Sequence, residues 1–193
     1  FSQKTGSQEQ RQAGKKVEDD VVRVGVLAVQ GDFAEHIALL DRLGVKAVEI
    51  RLPGELEGVD ALIMPGGEST AFSYLMDLYG LKEPIVKMAG AGTPVWGTCA
   101  GMIMMAQALT EDKPTPMGLM DIQVTRNAFG RQVDSFETEL VIEGLDGEPF
   151  HAVFIRAPVV TCVGEGVEVL ARLPDDQPVA VRQASLLATA FHP

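Results

Sequence analysis

Two patterns of apolar and polar positions alternate along the first half of the chain. Residues 22–29 form a nearly continuous apolar run, which is typical of a strand buried on both faces of a parallel sheet. From Phe33 to Leu43 the apolar positions recur at helical spacing, and Gly44 marks the end of that helix. The alternation then continues, and it predicts strands at 46–52, 61–64 and 94–97 and helices at 69–79, 83–89 and 100–109.

The pattern changes after Leu109. Short apolar stretches separated by turn residues predict strands with no clear helix between them, at 119–125, 137–142, 152–156, 167–173, 179–183 and 186–191. The whole pattern predicts an α/β fold of three layers, with a mostly parallel central sheet and flanking helices. The second half is expected to add antiparallel strands to this arrangement.

Residues 1–20 lack this patterning. They contain almost no aliphatic side chains, and their four basic and four acidic groups give a net charge of zero. Such a segment cannot bury enough apolar surface to offset the entropy lost on ordering. We therefore expect a disordered leader or an expression remnant at 1–20, followed by a single domain over 21–193.

Composition excludes several classes of function. A net charge of −11 argues against nucleic acid or an anionic membrane as the main partner, and no apolar stretch reaches the roughly 18 residues of a transmembrane helix. Two cysteines give no disulfide framework, which predicts a cytoplasmic protein with reduced thiols. Cys162 is expected to be a buried strand residue. No group of histidines and cysteines has metal-ligand spacing, so no metal site is predicted.

The segment at 97–101 reads Gly-Thr-Cys-Ala-Gly and joins a predicted strand to a predicted helix. In hydrolases, an elbow of the form Gly-x-nucleophile-x-Gly exposes the nucleophile at such a turn. The free N–H groups and dipole of a helix N-terminus would favour the thiolate of Cys99. A lone cysteine in an apolar segment is more often a small buried side chain, so the motif needs partners elsewhere in the chain.

Cysteine acyl chemistry also needs a base. His192 follows the strand predicted at 186–191, which places it at the same sheet edge as Cys99 and makes it the best candidate. His36, in a helix, and His151, at a strand start, have no distinctive setting and are interpreted as structural.

Donors for an oxyanion are the remaining requirement. The glycines at 66–67 can turn backbone N–H groups toward a pocket, the N–H of Ala100 follows the nucleophile, and Ser69 can cap the next helix. A plain Gly-Gly turn explains the same residues when they are taken alone. Because 30–32, 66–69 and Cys99 all follow parallel strands, we expect them at one sheet edge.

Six segments occur in a recognisable order: 26–31 (Val-Leu-Ala-Val-Gln-Gly), 65–70 (Pro-Gly-Gly-Glu-Ser-Thr), 97–102 (Gly-Thr-Cys-Ala-Gly-Met), 126–136 (Arg-Asn-Ala-Phe-Gly-Arg-Gln-Val-Asp-Ser-Phe), 154–158 (Phe-Ile-Arg-Ala-Pro) and 191–193 (Phe-His-Pro). Together they resemble the glutaminase subunits of pyridoxal 5′-phosphate synthases, which are class I glutamine amidotransferases. The resemblance covers 22–193. The elbow is shared across the wider class, whereas the segments at 66–70, 126–132 and 154–158 are specific to the subfamily.

This resemblance implies hydrolysis of L-glutamine to glutamate and ammonia without a cofactor. Cys99 would form a glutamyl thioester, and His192 would activate the thiol and protonate the departing ammonia. The N–H groups of Gly67 and Ala100 would hold the oxyanion. The residues that match the family's glutamine-binding positions are Gly67, Glu68, Ser69, Arg126, Ile155 and Arg156. A guanidinium suits a substrate carboxylate, although solvated or salt-bridged arginines are a respectable alternative.

The resemblance also implies a partner. Ammonia would pass to a separate synthase subunit in a hetero-oligomer, which builds pyridoxal 5′-phosphate from a pentose phosphate and a triose phosphate. Gln30 matches a position that couples docking of this partner to formation of the oxyanion hole. The glutaminase would then be largely silent until the partner is docked.

One departure from the family pattern concerns the third member of the triad. The family motif continues past His-Pro to a glutamate that orients the histidine, whereas this sequence stops at Pro193. We therefore expect that the C-terminal end is missing and that activity is impaired, because loss of an orienting carboxylate costs about 10⁴ in rate in the serine-protease triad. No acidic residue is expected to replace it, since Asp175 and Asp176 lie in a predicted turn. Two alternatives stay open: the glutaminase of another biosynthetic synthase, and a non-catalytic subunit that retains the pocket.

Overall fold

A computed structural model describes residues 21–126 and 135–192 of the chain. In these ranges the strands are β1 (Arg23–Leu27), β2 (Lys46–Ile50), β3 (Ala61–Met64), β4 (Val95–Thr98), β5 (Ala106–Leu109), β6 (Met120–Thr125), β7 (Ser135–Leu140), β8 (Phe150–Ile155), β9 (Val159–Val163), β10 (Glu168–Arg172), β11 (Pro178–Gln183) and β12 (Leu186–Thr189). The helices are α1 (Phe33–Arg42), α2 (Ser69–Leu78), α3 (Lys82–Gly90) and α4 (Ala100–Met105), with one 3-10 turn at Pro53–Leu56.

Seven strands form the central sheet, in the order β10-β11-β12-β4-β3-β1-β2. The strands from β12 to β2 are parallel, whereas β11 and β10 add an antiparallel edge. The predicted mixed sheet is therefore confirmed, including its extension by strands of the second half. The insertion of β12 beside β4 matters most for function, because it brings the end of the described chain next to the elbow.

The sheet is covered on both faces. Val24, Val26 and Ile63 point toward α1, where they pack with its apolar side chains. The alternate positions, such as Leu27 and Met64, belong to the main core on the opposite face, which includes buried residues of α2 and α4. This alternation gives the three predicted layers, since successive strand residues face opposite sides of a sheet.

The helix predicted at 100–109 is wrong in its second half. Helix α4 ends at Met105, and the next four residues form β5, which pairs in parallel with β6. Together with β9 these strands make a separate three-stranded sheet, while β7 and β8 form a two-stranded ribbon. Apolar residues at 106–109 suit either conformation, and the pairing with a strand further along the chain decides between them.

Cys162 is exposed, which corrects the prediction of a buried cysteine. It lies in β9, whose first two residues are buried and whose last three are not. The leader predicted at 1–20, the middle of the motif at 127–134 and Pro193 lie outside the described residues. Among the helices that are described, none has the length and apolar character needed to cross a membrane.

Candidate active site

The candidate site lies at the carboxyl edge of the central sheet. Four neighbouring parallel strands, β12, β4, β3 and β1, end there. His192, Cys99 and the loops at 66–69 and 30–32 follow these strands in turn. The segments that the sequence predicted to share one edge therefore do so, as expected for ligand sites in parallel α/β sheets.

Cys99 occupies the elbow between β4 and α4. Its backbone has φ 48° and ψ −102°, an unusual conformation for a residue with a side chain. The turn is held by the Cys99 N–H, which donates to the Thr189 carbonyl at 2.8 Å. Gly101 lets α4 approach β3, because a Cβ there would lie 2.0 Å from the Met64 carbonyl oxygen. The thiol is mostly buried, and its sulfur lies 4.0 Å from the Ile155 carbonyl.

His192 is fixed from two sides. Its backbone N–H donates to the Val153 carbonyl at 2.9 Å, and its Nδ1 lies 2.6 Å from Oδ2 of Asp32. The hydrogen bond with Asp32, followed by a hydrogen bond with Cys99, raises the pKa of His192 to about 10, although burial acts in the opposite direction. The imidazole therefore keeps a proton at neutral pH, and it faces the candidate nucleophile.

His192 has an acidic partner, Asp32, so the expectation that no acidic residue would take this place is corrected. Burial would raise the pKa of Asp32, but the hydrogen bond and positive charge of His192 hold it below its ordinary value. Asp175 and Asp176 are exposed, as the sequence predicted. The sequence did not predict this contact, because Asp32 is 160 residues away from His192 along the chain. The only available signal was its place in one of the three loops expected at the sheet edge.

The loop at 66–69 is shaped by Gln30. Gly67 has φ 140°, and a Cβ there would lie 2.6 Å from the Gln30 side-chain amide, so a larger residue would collide with it. The Gln30 Oε1 accepts a hydrogen bond from the Glu68 N–H at 3.2 Å. Gln30 therefore braces the backbone that is predicted to provide an oxyanion donor.

Glu68, rather than the predicted Ser69, caps helix α2. Its two carboxylate oxygens accept hydrogen bonds from the N–H groups of Thr70 at 3.0 Å and Ala71 at 2.7 Å. Burial opposes ionisation of Glu68, but these hydrogen bonds lower its pKa below the ordinary value. Ser69 is instead the buried first residue of the helix. A glutamate is a rarer N-cap than serine, which is why the sequence favoured Ser69.

Two arginines also line the site. The Arg126 guanidinium donates to the Lys113 carbonyl at 2.7 Å and contacts Glu68 and Thr70, each at 3.4 Å. Arg156 follows β8 with φ 45°, an uncommon conformation at a position next to the site. Both side chains can offer donors to a carboxylate.

One cavity of about 470 Å³ brings most of these residues together. Eight of the ten site residues predicted from the sequence line it, namely Gly67, Glu68, Ser69, Cys99, Arg126, Ile155, Arg156 and His192. Ala100, buried at the start of α4, and Gln30, behind the loop, do not line it. Asp32 and Ile103 are lining residues that the sequence analysis did not name. The catalytic and binding roles of all these residues remain predictions.

The other two histidines lie outside the cavity lining. His36 is buried in α1, 3.4 Å from Thr98 Oγ1 and edge-on to the Trp96 ring. His151 is exposed between Glu137 and Glu139, which raise its pKa through hydrogen bonds. In the described ranges, no cluster of histidine, cysteine and carboxylate side chains could hold a metal ion.

Comparison with a family model decides the classification, since the model for the SNO glutamine amidotransferase family matches residues 26–193. The chain belongs to this family. Curated relatives agree: a protein of Dehalococcoides mccartyi is 55% identical over 174 residues, covering 89% of each chain. One of Herpetosiphon aurantiacus is 56% identical over 173 residues, covering 88% of this chain and 91% of its own. Both are named pyridoxal 5′-phosphate synthase subunit PdxT.

Solved structures support the fold as well. A crystal structure of a glutamine amidotransferase is 52% identical, with a TM-score of 0.83, and the match covers 88% of this chain and 89% of that one. The structure of PurLQS from Thermotoga maritima matches with a TM-score of 0.64 at 18% identity over 90% of this chain and 88% of that one. At that identity the second likeness concerns the fold alone. The predicted family, its α/β fold and its class of enzyme, a glutaminase, are thus confirmed.

Proposed function

We propose that this SNO-family glutamine amidotransferase is the glutaminase subunit of a pyridoxal 5′-phosphate synthase. It hydrolyses L-glutamine and delivers ammonia to the synthase subunit. The relatives that share more than half of its residues carry the name of that complex. The observation that carries the chemistry is the position of Cys99, which lies at a strained elbow beside a protonated His192 in a cavity of about 470 Å³.

The first half of the reaction forms a thioester. Cys99 Sγ, as the thiolate beside the imidazolium of His192, attacks the side-chain amide carbon of glutamine. The tetrahedral oxyanion accepts hydrogen bonds from the N–H groups of Gly67 and Ala100. When the intermediate collapses, the carbon–nitrogen bond breaks and the His192 proton goes to the leaving nitrogen. The products of this half are ammonia and a glutamyl thioester on Cys99.

The second half regenerates the enzyme. His192, now neutral, takes a proton from water, and the resulting hydroxide attacks the thioester carbon. The carbon–sulfur bond breaks, glutamate leaves, and the Cys99 thiolate again faces the imidazolium. The net reaction consumes one glutamine and one water and yields one glutamate and one ammonia.

The remaining cavity residues bind the substrate in this proposal. Arg126 and Arg156 provide donors for the α-carboxylate, while Glu68 and backbone groups at Ser69 and Ile155 accept from the α-amino group. The contacts of Arg126 with Glu68 and Thr70 hold the guanidinium at the cavity wall. These assignments are supported by the shared lining of one cavity, whose volume of about 470 Å³ accommodates an amino acid.

The partner is the synthase subunit, with Gln30 coupling its docking to the loop at 66–69. The contact between Gln30 and the Glu68 N–H supports this assignment. The net charge of −11 favours neither nucleic acid nor an anionic membrane as a further partner. We also propose a cytoplasmic location, in line with two cysteines that form no disulfide, and one domain over 21–193.

Glutamate release from glutamine tests the proposal, measured with and without the synthase subunit. We expect the subunit to stimulate release, and Cys99→Ser to reduce it on the order of 10⁴-fold or more, because the nucleophile is lost. Cys162→Ser is the matched control, since this exposed thiol lies in β9, away from the cavity lining, and should leave the rate unchanged.

Two results would contradict the proposal. If Cys99→Ser retained activity, the elbow would not carry the nucleophile. If the synthase subunit of a pyridoxal 5′-phosphate synthase left glutamate release unchanged while another amidotransferase partner raised it, the chain would be the glutaminase of a different biosynthetic enzyme.

A further inference from the structure

The backbone that follows β6 is held by a side chain from another part of the chain. Arg126 comes directly after β6, and its backbone N–H donates to Oε1 of Glu111 at 3.0 Å. Glu111 lies 15 residues earlier, two positions after the end of β5 at Leu109. The last register pair of β5 and β6 joins Leu109 to Val124. The Glu111 carboxylate therefore accepts a backbone N–H beyond the point where the strand pairing stops.

Glu111 is itself fixed by two threonine hydroxyls. The Thr110 hydroxyl donates to Oε2 of Glu111 at 3.0 Å, and the hydroxyl oxygens of Thr110 and Thr125 lie 2.9 Å apart. Because the single hydrogen of the Thr110 hydroxyl goes to the carboxylate, Thr125 is the donor in the second contact. The Thr110 N–H also donates to the Val124 carbonyl at 3.0 Å. Both oxygens of Glu111 are thus engaged at the end of β6.

The same segment, 110–113, also holds the Arg126 side chain. Nη1 of Arg126 donates to the Lys113 carbonyl at 2.7 Å, while Nη2 contacts Glu68 Oε1 and Thr70 Oγ1, each at 3.4 Å. These three contacts use at most three of the five N–H donors of a guanidinium, so at least two remain for a ligand. Arg126 lines the cavity of the candidate site. The guanidinium is therefore held in place and still has donors to offer there.

The place of Arg126 gives the Glu111 contact its consequence. A hydrogen bond from an exposed glutamate at a strand end adds little to the stability of a fold by itself. Arg126, however, is the first residue past β6, so the backbone that Glu111 fixes determines where the long side chain begins. Recognition of a carboxylate by a guanidinium needs a defined mutual geometry, and a mobile arginine loses rotamer freedom when it binds.

We propose that Glu111 is a positioning residue that preorganises Arg126 for the α-carboxylate of glutamine. This inference rests on the proposed function, in which Arg126 binds that carboxylate. Glu111 is not one of the residues that line the cavity, so it acts through Arg126 and does not touch the substrate. Its effect belongs to substrate binding and not to the reaction at Cys99.

The first test measures glutamate release with the synthase subunit present. Glu111→Ala should raise KM for glutamine about three- to tenfold, the usual size of one lost hydrogen bond. Its kcat should stay within about twofold of the parent, because the contact serves binding alone. Glu111→Gln keeps an oxygen that can accept the Arg126 N–H, so it should restore KM. Asp112→Ala, an exposed acidic neighbour in the same segment, is the matched control and should behave as the parent.

Two further variants ask whether Glu111 acts through Arg126. In an Arg126→Ala background, Glu111→Ala should cause no additional rise in KM, because residues that work as a unit are not additive. Thr110→Val removes the hydroxyl that donates to Glu111 while keeping its shape, and it should raise KM in the same direction. Because Thr110→Val leaves the carboxylate in place, its effect is not one of lost charge.

A second readout does not depend on turnover. In a Cys162→Ser background, which leaves Cys99 as the single thiol of the chain, iodoacetamide alkylation of Cys99 is followed by mass spectrometry at increasing L-glutamate. L-Glutamate carries the same α-carboxylate as glutamine and is not hydrolysed. In Glu111→Ala, half-protection should need about three to ten times more L-glutamate than in the parent, whereas Glu111→Gln and Asp112→Ala should match the parent.

The outcomes separate this inference from the proposed function. If Glu111→Ala matched Asp112→Ala in KM and in protection, or if it raised KM equally in the Arg126→Ala background, Glu111 would not position Arg126. If the parent released no glutamate even with the synthase subunit, the proposed function would fail, while protection by L-glutamate would still decide the role of Glu111. If L-glutamate gave the parent no protection at all, the cavity would not bind the amino acid and the inference would be overturned.

Discussion

At the scale of single residues, the chemistry of His192 is set by groups from three distant parts of the chain. Asp32 holds one ring nitrogen, Cys99 faces the ring, and the backbone of His192 is paired with Val153. The hydrogen bonds with Asp32 and Cys99 raise the pKa of the imidazole to about 10, although burial acts in the opposite direction. In the proposed reaction, a protonated imidazole supplies the proton that the departing ammonia needs.

The free energy of unfolding should depend on pH because of this pKa shift. The pKa of His192 is raised from 6.5 to about 10, so the folded state holds a proton that the unfolded state has lost between these values. Its contribution is complete below about pH 6.5 and disappears as the pH rises to about 10. We expect the free energy of unfolding of the parent to exceed that of His192→Gln by a few kcal/mol at pH 6, and we expect this difference to shrink toward pH 10. Urea unfolding at several pH values measures it, and a difference independent of pH would rule out the shift.

The residue scale also shows where sequence reasoning stops. The positions of Cys99 and His192 at one sheet edge were predictable, because each follows a strand and the ends of parallel strands meet. Asp32 was not, because its contact depends on the space above Gly66 and on strand order across the whole sheet. Neither the space above Gly66 nor the strand order can be read from composition and spacing. The capping by Glu68 was missed for a different, local reason, since serine is the more common cap at such a position.

At the scale of elements, the elbow depends on close packing of α4 against the sheet. The buried, apolar residues of α4 and the small Gly97 and Gly101 let the helix start directly after Cys99. Strand and helix positions in this region were predictable from the apolar pattern as far as Met105. The next four residues were not, because their strand exists only through pairing with β6, a partner that local pattern does not reveal.

A glycine substitution tests this packing. In Gly101→Ala the new methyl group would lie 2.0 Å from the Met64 carbonyl oxygen, which is backbone and cannot move aside cheaply. We expect a loss of about 1–3 kcal/mol in the free energy of unfolding. Gly90→Ala is the control, because nothing lies within 4 Å of its added Cβ and alanine is the better helix former. Urea titration of both variants should give opposite signs, and equal effects would mean that α4 is not tightly seated.

At the scale of the whole molecule, the loop at 30–32 connects two parts of the candidate site at one edge of the sheet. The loop at 30–32 touches the loop at 66–69 through Gln30 and the histidine through Asp32. A partner that moved this loop would therefore change both halves of the site together. That arrangement suits the proposed function, in which ammonia is useful only when a synthase is present to consume it.

Gln30→Ala separates partner binding from partner response. The substitution removes the acceptor for the Glu68 N–H but leaves Cys99, His192 and Asp32 in place. We expect the variant to bind the synthase subunit with nearly parental affinity while its stimulation of glutamate release falls on the order of tenfold, within the usual range of coupling energies. Titration calorimetry measures the binding, and glutamate release with and without the subunit measures the response. If stimulation were retained in full, the loop at 66–69 would be set by the partner directly, and Gln30 would serve only to pack against Gly67.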